Sequence, residues 1–155
     1  MSYISVISLA TAKNYLRIDD TLTADDAEIT RMIASSLGDI ERQTNVKVFA
    51  RDEVYNVQDS AIRVYDYPVN SITSPSTAVG VIQPTFINYT LDAADLLLTL
   101  NVGYTSPSNV PSAIIDVALE MIDIKYYGAK EDGANRRLLS VDNQDTLNRF
   151  KRFIF

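Results

Sequence analysis

Apolar residues recur at helical spacing in the first third of the chain. Leu9, Ala12 and Leu16 lie three and four apart, which predicts a short helix through about Arg17 with Ser8 as its cap. Ile29, Met32, Ile33, Leu37 and Ile40 then form a second stripe that predicts a longer helix to about Thr44. Between them lies "YLRIDDTLTADDAEI", residues 15–29, with the carboxylates Asp19, Asp20, Asp25, Asp26 and Glu28. Thr23 followed by Asp26 resembles a capping pattern, and Asp25, Asp26 and Glu28 suit the positive end of a helix dipole. A calcium loop started at Asp19 would put Ala24 where the turn needs Gly and Thr30 where a bidentate Glu belongs. The acidic stretch therefore reads as punctuation between two helices.

From Val46 to Tyr104 the period changes from 3.6 to 2. Val48 to Val57, Ile62 to Tyr65 and Phe86 to Leu91 read as extended segments, and Leu96, Leu98, Leu100 and Val102 share one alternate set. Pro68, Asn70, Pro75, Gly80 and Pro84 punctuate the middle, so residues 68–85 are expected to include loop. Helical spacing returns after "TSPSNVPS", with Pro111 suited to the first helical position. Ile114, Val117, Ala118, Met121 and Ile122 mark one face, while Ile115, Leu119 and Ile124 add apolar surface for the sheet or a neighbouring subunit to cover. Gly128 is expected just past this helix, before a charged connection over residues 128–137. The pattern predicts an α+β fold: two N-terminal helices and one long later helix, an inserted small antiparallel sheet, and a partly helical C-terminal tail.

Composition narrows the chemistry. A chain of 155 residues with 46% apolar content is one domain's worth, and it can bury roughly 70% of its unfolded surface. It contains neither Cys nor His, so thiolate chemistry is excluded and the usual neutral-pH base and commonest metal ligand are missing. Lys13 and Tyr15 lie near carboxylates, but no nucleophile–base–orienter set follows from spacing. No enzyme, cofactor or metal site is expected. Met1–Ala12 lacks a positive segment followed by an apolar core, and no apolar stretch is long enough to span a membrane.

Charge divides the chain. Residues 1–132 carry 9 Lys/Arg against 18 Asp/Glu, whereas residues 133–155 carry 5 against 2. The tail also holds Phe150, Phe153 and Phe155, three of the five Phe. An acidic body and a basic aromatic tail are expected to meet different partners. For the tail three readings stand: packing on its own domain, docking on another protein through Leu147, Arg149, Phe150, Lys151, Arg152, Phe153 and Phe155, or binding nucleic acid.

The order of these pieces resembles the head–tail connector (adaptor) family of tailed phages. "SLATAKNYLRID" matches that family's opening helix at Leu9, Lys13, Leu16, Arg17, Ile18 and Asp19, and Asp26, Ile29, Ile33 and Glu41 follow in the second helix. "YPVNSITS" resembles its Pro-Val strand entry, and "LNVGYTSPSNVPSAIIDVALEMIDIKYY" its Gly-Tyr turn and Val-Pro helix. The resemblance covers most of residues 8–127 and departs at the Phe-rich tail. It implies an adaptor domain over residues 1–132 and a structural virion protein that forms a ring of about a dozen copies beneath the portal. Such a ring extends the DNA channel and joins capsid to tail. The implied partners are other copies, the portal and a tail-side protein, with DNA passing without sequence readout. The implied location is the capsid vertex, after assembly from the host cytoplasm. Acidic residues near strand ends, Asp59, Asp66, Asp92 and Asp95, are candidates for lining the channel, because a wall of carboxylates repels phosphate. The alternative is a nucleic-acid-binding accessory protein that uses the basic tail.

Overall fold

A computed structural model describes residues 2–83, 86–92, 96–130 and 138–151. The α+β architecture holds, with helices flanking two small antiparallel sheets. The N-terminal part contains α1 (Tyr3–Val6), α2 (Leu9–Tyr15) and α3 (Asp26–Thr44). Ser8 caps α2, its Oγ accepting from the Thr11 amide at 3.1 Å. Ala12 and Leu16 are buried beneath it, as their spacing predicts. The α3 stripe of Ile29, Met32, Ile33, Leu37 and Ile40 is buried throughout, and the helix stops where Asn45 adopts a left-handed conformation at φ 59°. The expected Thr23 cap is replaced by a simpler arrangement. Asp25 occupies the cap position without a side-chain cap bond, and Thr23 offers only its carbonyl, to the Asp26 amide at 3.3 Å. The carboxylates of the first turn are committed elsewhere.

The long later helix, α4 (Ser112–Lys130), starts one residue after Pro111, whose carbonyl accepts from the Ile114 amide. Gly128 does not end it. No atom outside its own helix lies within 4 Å of where a Gly128 Cβ would sit, and without a left-handed turn the helix simply runs on to Lys130. Helix α5 (Val141–Phe150) begins at Ser140 and packs on α3 and α4. One apolar core joins all of this, from Ile7 and Leu16 through Leu37 and Ile122 to Leu147. The boundary expected at residues 132 and 133 lies outside the described residues.

The middle of the chain forms β1 (Arg51–Asn56), β2 (Ala61–Val64), β3 (Val69–Ser74), β4 (Val79–Ile82), β5 (Ile87–Thr90) and β6 (Leu97–Val102). One sheet has the order β1-β6-β3 and the other β2-β5-β4. Residues 68–85, where loop was expected, supply two of these strands. Strand β3 is polar and pairs with β6 through two register shifts, so its local pattern is weak and its partner decides its state. Leu98, Leu100 and Val102 face a second, smaller core with Val64 and Tyr89, whereas Leu96 falls one residue before β6 and is exposed. Gly103 ends β6 at φ 108°, where a Cβ would stand 2.1 Å from the Phe49 carbonyl oxygen. The Gly-Tyr turn is thus dictated by close backbone approach.

Candidate assembly surfaces

Buried polar groups show which charges serve the fold and which remain for partners. Lys13 is only 2% exposed. Its Nζ donates to the carbonyls of Asp20 and Leu22 at 3.0 and 2.7 Å and to Asp26 Oδ1 at 3.0 Å. All three ammonium hydrogens therefore have acceptors within the acidic turn. The side chain does what a bound cation would do there: it gathers carbonyls and neutralises a carboxylate. Asp19 closes the preceding turn by accepting from the Thr21 hydroxyl and amide, which hold its pKa below the ordinary value. Asp25 accepts from the Tyr126 hydroxyl at 2.6 Å, and Tyr127 donates to the Leu16 carbonyl, tying α4 to the same turn. Among the described residues no group of His, Cys, Asp or Glu is arranged to hold a metal.

A second junction ties the helices to the sheets. Glu41, 5% exposed, accepts from Arg51 Nη1 and Nη2 at 3.0 and 2.7 Å, from the Tyr3 hydroxyl at 2.9 Å and from the Val48 amide at 2.8 Å. Burial alone would lower the Arg51 pKa, but hydrogen bonds to Glu41 and Glu53 outweigh it and raise the value.

Four carboxylates are candidates for a channel wall. Asp59 and Asp92 are exposed. The Leu91 amide donates to the Ser60 carbonyl, so both carboxylates stand at the same end of the β2-β5-β4 sheet. Asp66 differs: it is largely shielded, 3.3 Å from Lys47 Nζ, and accepts from the Tyr55 hydroxyl at 2.7 Å. Burial, followed by the bond to Asp66, pushes the Tyr55 pKa far up. The charge of Asp66 is spent inside the protein. Asp95 lies outside the described residues.

The tail is divided in the same way. Leu147, expected to take part in docking, is 2% exposed and completes the helical core, with Phe150 packed against that core. The short helix can do this because Glu120 of α4 accepts from the Ser140 amide and hydroxyl and from Asn143 Nδ2. Its far end is held by the Tyr67 hydroxyl, which donates to the Phe150 carbonyl at 3.3 Å. Arg149 is exposed, and Lys151 donates to Asn148 Oδ1 at 2.9 Å. Arg152, Phe153 and Phe155 lie outside the described residues. On α4, Leu119 is buried and Ile115 packs on the helical core.

One surface was not singled out from sequence. In β4, Val79, Val81 and Ile82 are 59%, 51% and 80% exposed, and Val54 on β1 is 60% exposed. A shallow groove of about 250 Å³ lies under β4, between the β4–β5 face at Gly80, Ile82, Ile87 and Tyr89 and the β3 residues Val69, Asn70, Ser71 and Ile72. The Tyr89 ring lies so close to Gly80 that a Cβ there would meet its Cε1 at 2.7 Å. The signal in the sequence was "VGVI" itself, an uncharged run in a segment expected to include loop.

No protein-family model and no curated protein matches the chain. Solved structures do. A chain from the virion of a native gene transfer agent (GTA) particle aligns over 100% of this chain and 94% of its own, with TM-score 0.76 and 14% identity. A chain from the neck of an empty GTA particle, computed with C6 symmetry, aligns over 97% and 91%, with TM-score 0.74 and 15% identity. A third, from the neck of a native GTA particle with C12 symmetry, gives TM-score 0.72 over the same shares at 14% identity. The fold is therefore shared across nearly the whole length, including the region of the tail helix.

Proposed function

We propose that this protein is a structural component of a phage-like virion, a head–tail connector that forms a ring below the portal and extends the DNA channel toward the tail. The observation that carries the reading is the likeness in fold, over 97% of the chain, to a chain of a GTA particle neck of C12 symmetry. The connector resemblance in the first two helices and the Gly-Tyr turn supports it independently. Lys13 and Glu41, the most enclosed charged groups among the described residues, are taken up by structural bonds.

In this reading Asp59 and Asp92 are the channel-facing carboxylates, because they are exposed and share one end of a sheet. Docking on the portal or a neighbour falls to Arg149, Lys151 and the residues beyond, since Leu147 serves the chain's own core. DNA passes without sequence readout. Negative-stain imaging of the purified protein, with and without the portal, tests the proposal: annular particles of about a dozen copies are expected. A protein that stays solitary with its portal, or that binds DNA tightly with a steep salt dependence, would overturn it.

A further inference from the structure

Each of the two sheets leaves two outer strands with an unpaired edge. In the first sheet β1 and β3 are the outer strands, and in the second β2 and β4. The groove under β4 is lined by β3, so those two outer strands lie near one another, while β1 and β2 are the outer strands at the other edge of each sheet. The Gln83 amide bonds the Phe86 carbonyl, which sets the alternation of the β4–β5 ladder. Val81 and Val79 then face β5, and the N–H and C=O groups of Gly80 and Ile82 point outward. By the same count the Val57–Leu96 bond leaves the backbone groups of Asp52, Val54 and Asn56 on the outer edge of β1.

An exposed strand edge is normally blunted by a charge, a proline or a bulge. Strand β4 carries none of these: it reads Val-Gly-Val-Ile, with regular pairing and three exposed apolar side chains. A strand laid beside it would send alternate side chains into the groove past Gly80 and onto the outer face beside Val79 and Val81. Closed rotational rings need heterologous contacts, in which two different patches of each copy meet. Two different open edges on one small unit meet that need.

We propose that the β4 edge and its groove receive the β1 edge of a second copy, with Val54 at the contact, so that subunits join head to tail through their sheets. This rests on the ring reading above and names the surfaces that would close the ring. The chain has no Cys, so engineered thiols report the contact cleanly. The full-length double variant Val54→Cys/Ile82→Cys, treated with a short bis-maleimide under conditions where the parent protein forms annular particles, should give a ladder of covalent oligomers. A mixture of the two single variants should give dimers only, and Ile82→Cys alone should give monomer. Val81→Lys, at an exposed position, should keep the parent circular dichroism spectrum and lose the rings. Rings without the Val54–Ile82 ladder, rings that survive Val81→Lys, or self-dimers of Ile82→Cys would overturn the edge contact while the ring reading stands. Absence of annular particles in the parent protein, alone and with the portal, would overturn both.

Discussion

The helical layer and the sheet layer solve burial differently. Around α3 and α4 one large core takes up most of the apolar faces, leaving Leu22, Leu138 and Val141 exposed at its margins, and the enclosed charges, Lys13 and Glu41, have their hydrogen bonds completed. The sheets share a core of few residues, keep outer strands unpaired and present Val54, Val79, Val81 and Ile82 to solvent. In the proposed ring the first layer holds the subunit together and the second offers its strand edges to another copy. On that proposal stability and assembly depend on different residues and can be tested separately.

The sharpest test removes the cation of the acidic turn. Lys13→Ala leaves a 29% exposed Asp26 and two carbonyls without their protein donor, and urea unfolding should show a loss of about 3 kcal/mol. Next comes the tail helix. Leu147→Ala opens a cavity in the helical core and should cost about 2–3 kcal/mol by the same measurement. A tail that served only as a docking arm would show no such loss.

Alkaline pH probes the buried tyrosines of both layers, and Tyr55 singles out the sheet side. The folded pKa of Tyr55 lies above its ordinary 10.0, first because of burial and then because of Asp66, and Tyr89 is raised by burial as well. Above pH 10.0 the unfolded chain has released protons that the folded chain still holds, so stability is present below that pH and falls as pH rises. Melting temperature should drop steadily above pH 10.0, and Tyr55→Phe should flatten the slope. The smallest expected effect is on the edge strand. Ile82→Lys should change unfolding free energy by no more than about 0.5 kcal/mol, while abolishing higher oligomers in sedimentation. A large destabilisation there would mean that β4 belongs to the protein's own core, and the contrast between layers would collapse.

Local pattern read the helical layer well. Ser8, the stripe from Ile29 to Ile40 and the alternation of Leu98, Leu100 and Val102 all lie where period and capping rules put them. Each depends on neighbours within a few positions in the chain. The misread strands lack that local signal. Strand β3 exists because β6, about 30 positions on, offers it a ladder (Val69 pairs with Val102), whereas β4 pairs with the next strand in a hairpin whose uncharged, Gly-containing run gives no alternation.

Sequence alone determined which segments are amphipathic, where the acidic turn falls and that the chain lacks histidine and thiol chemistry. These follow from residue identity and short-range periodicity. Only the tertiary structure decided that Lys13 neutralises the turn, that Asp66 is spent on Lys47 and Tyr55, and that Leu147 belongs to the core while Val81 and Ile82 do not. A charge or an apolar side chain acquires its role from what lies against it, and those contacts reach past the span of a local pattern, 7 to 13 positions for Lys13 and 11 for Asp66 and Tyr55.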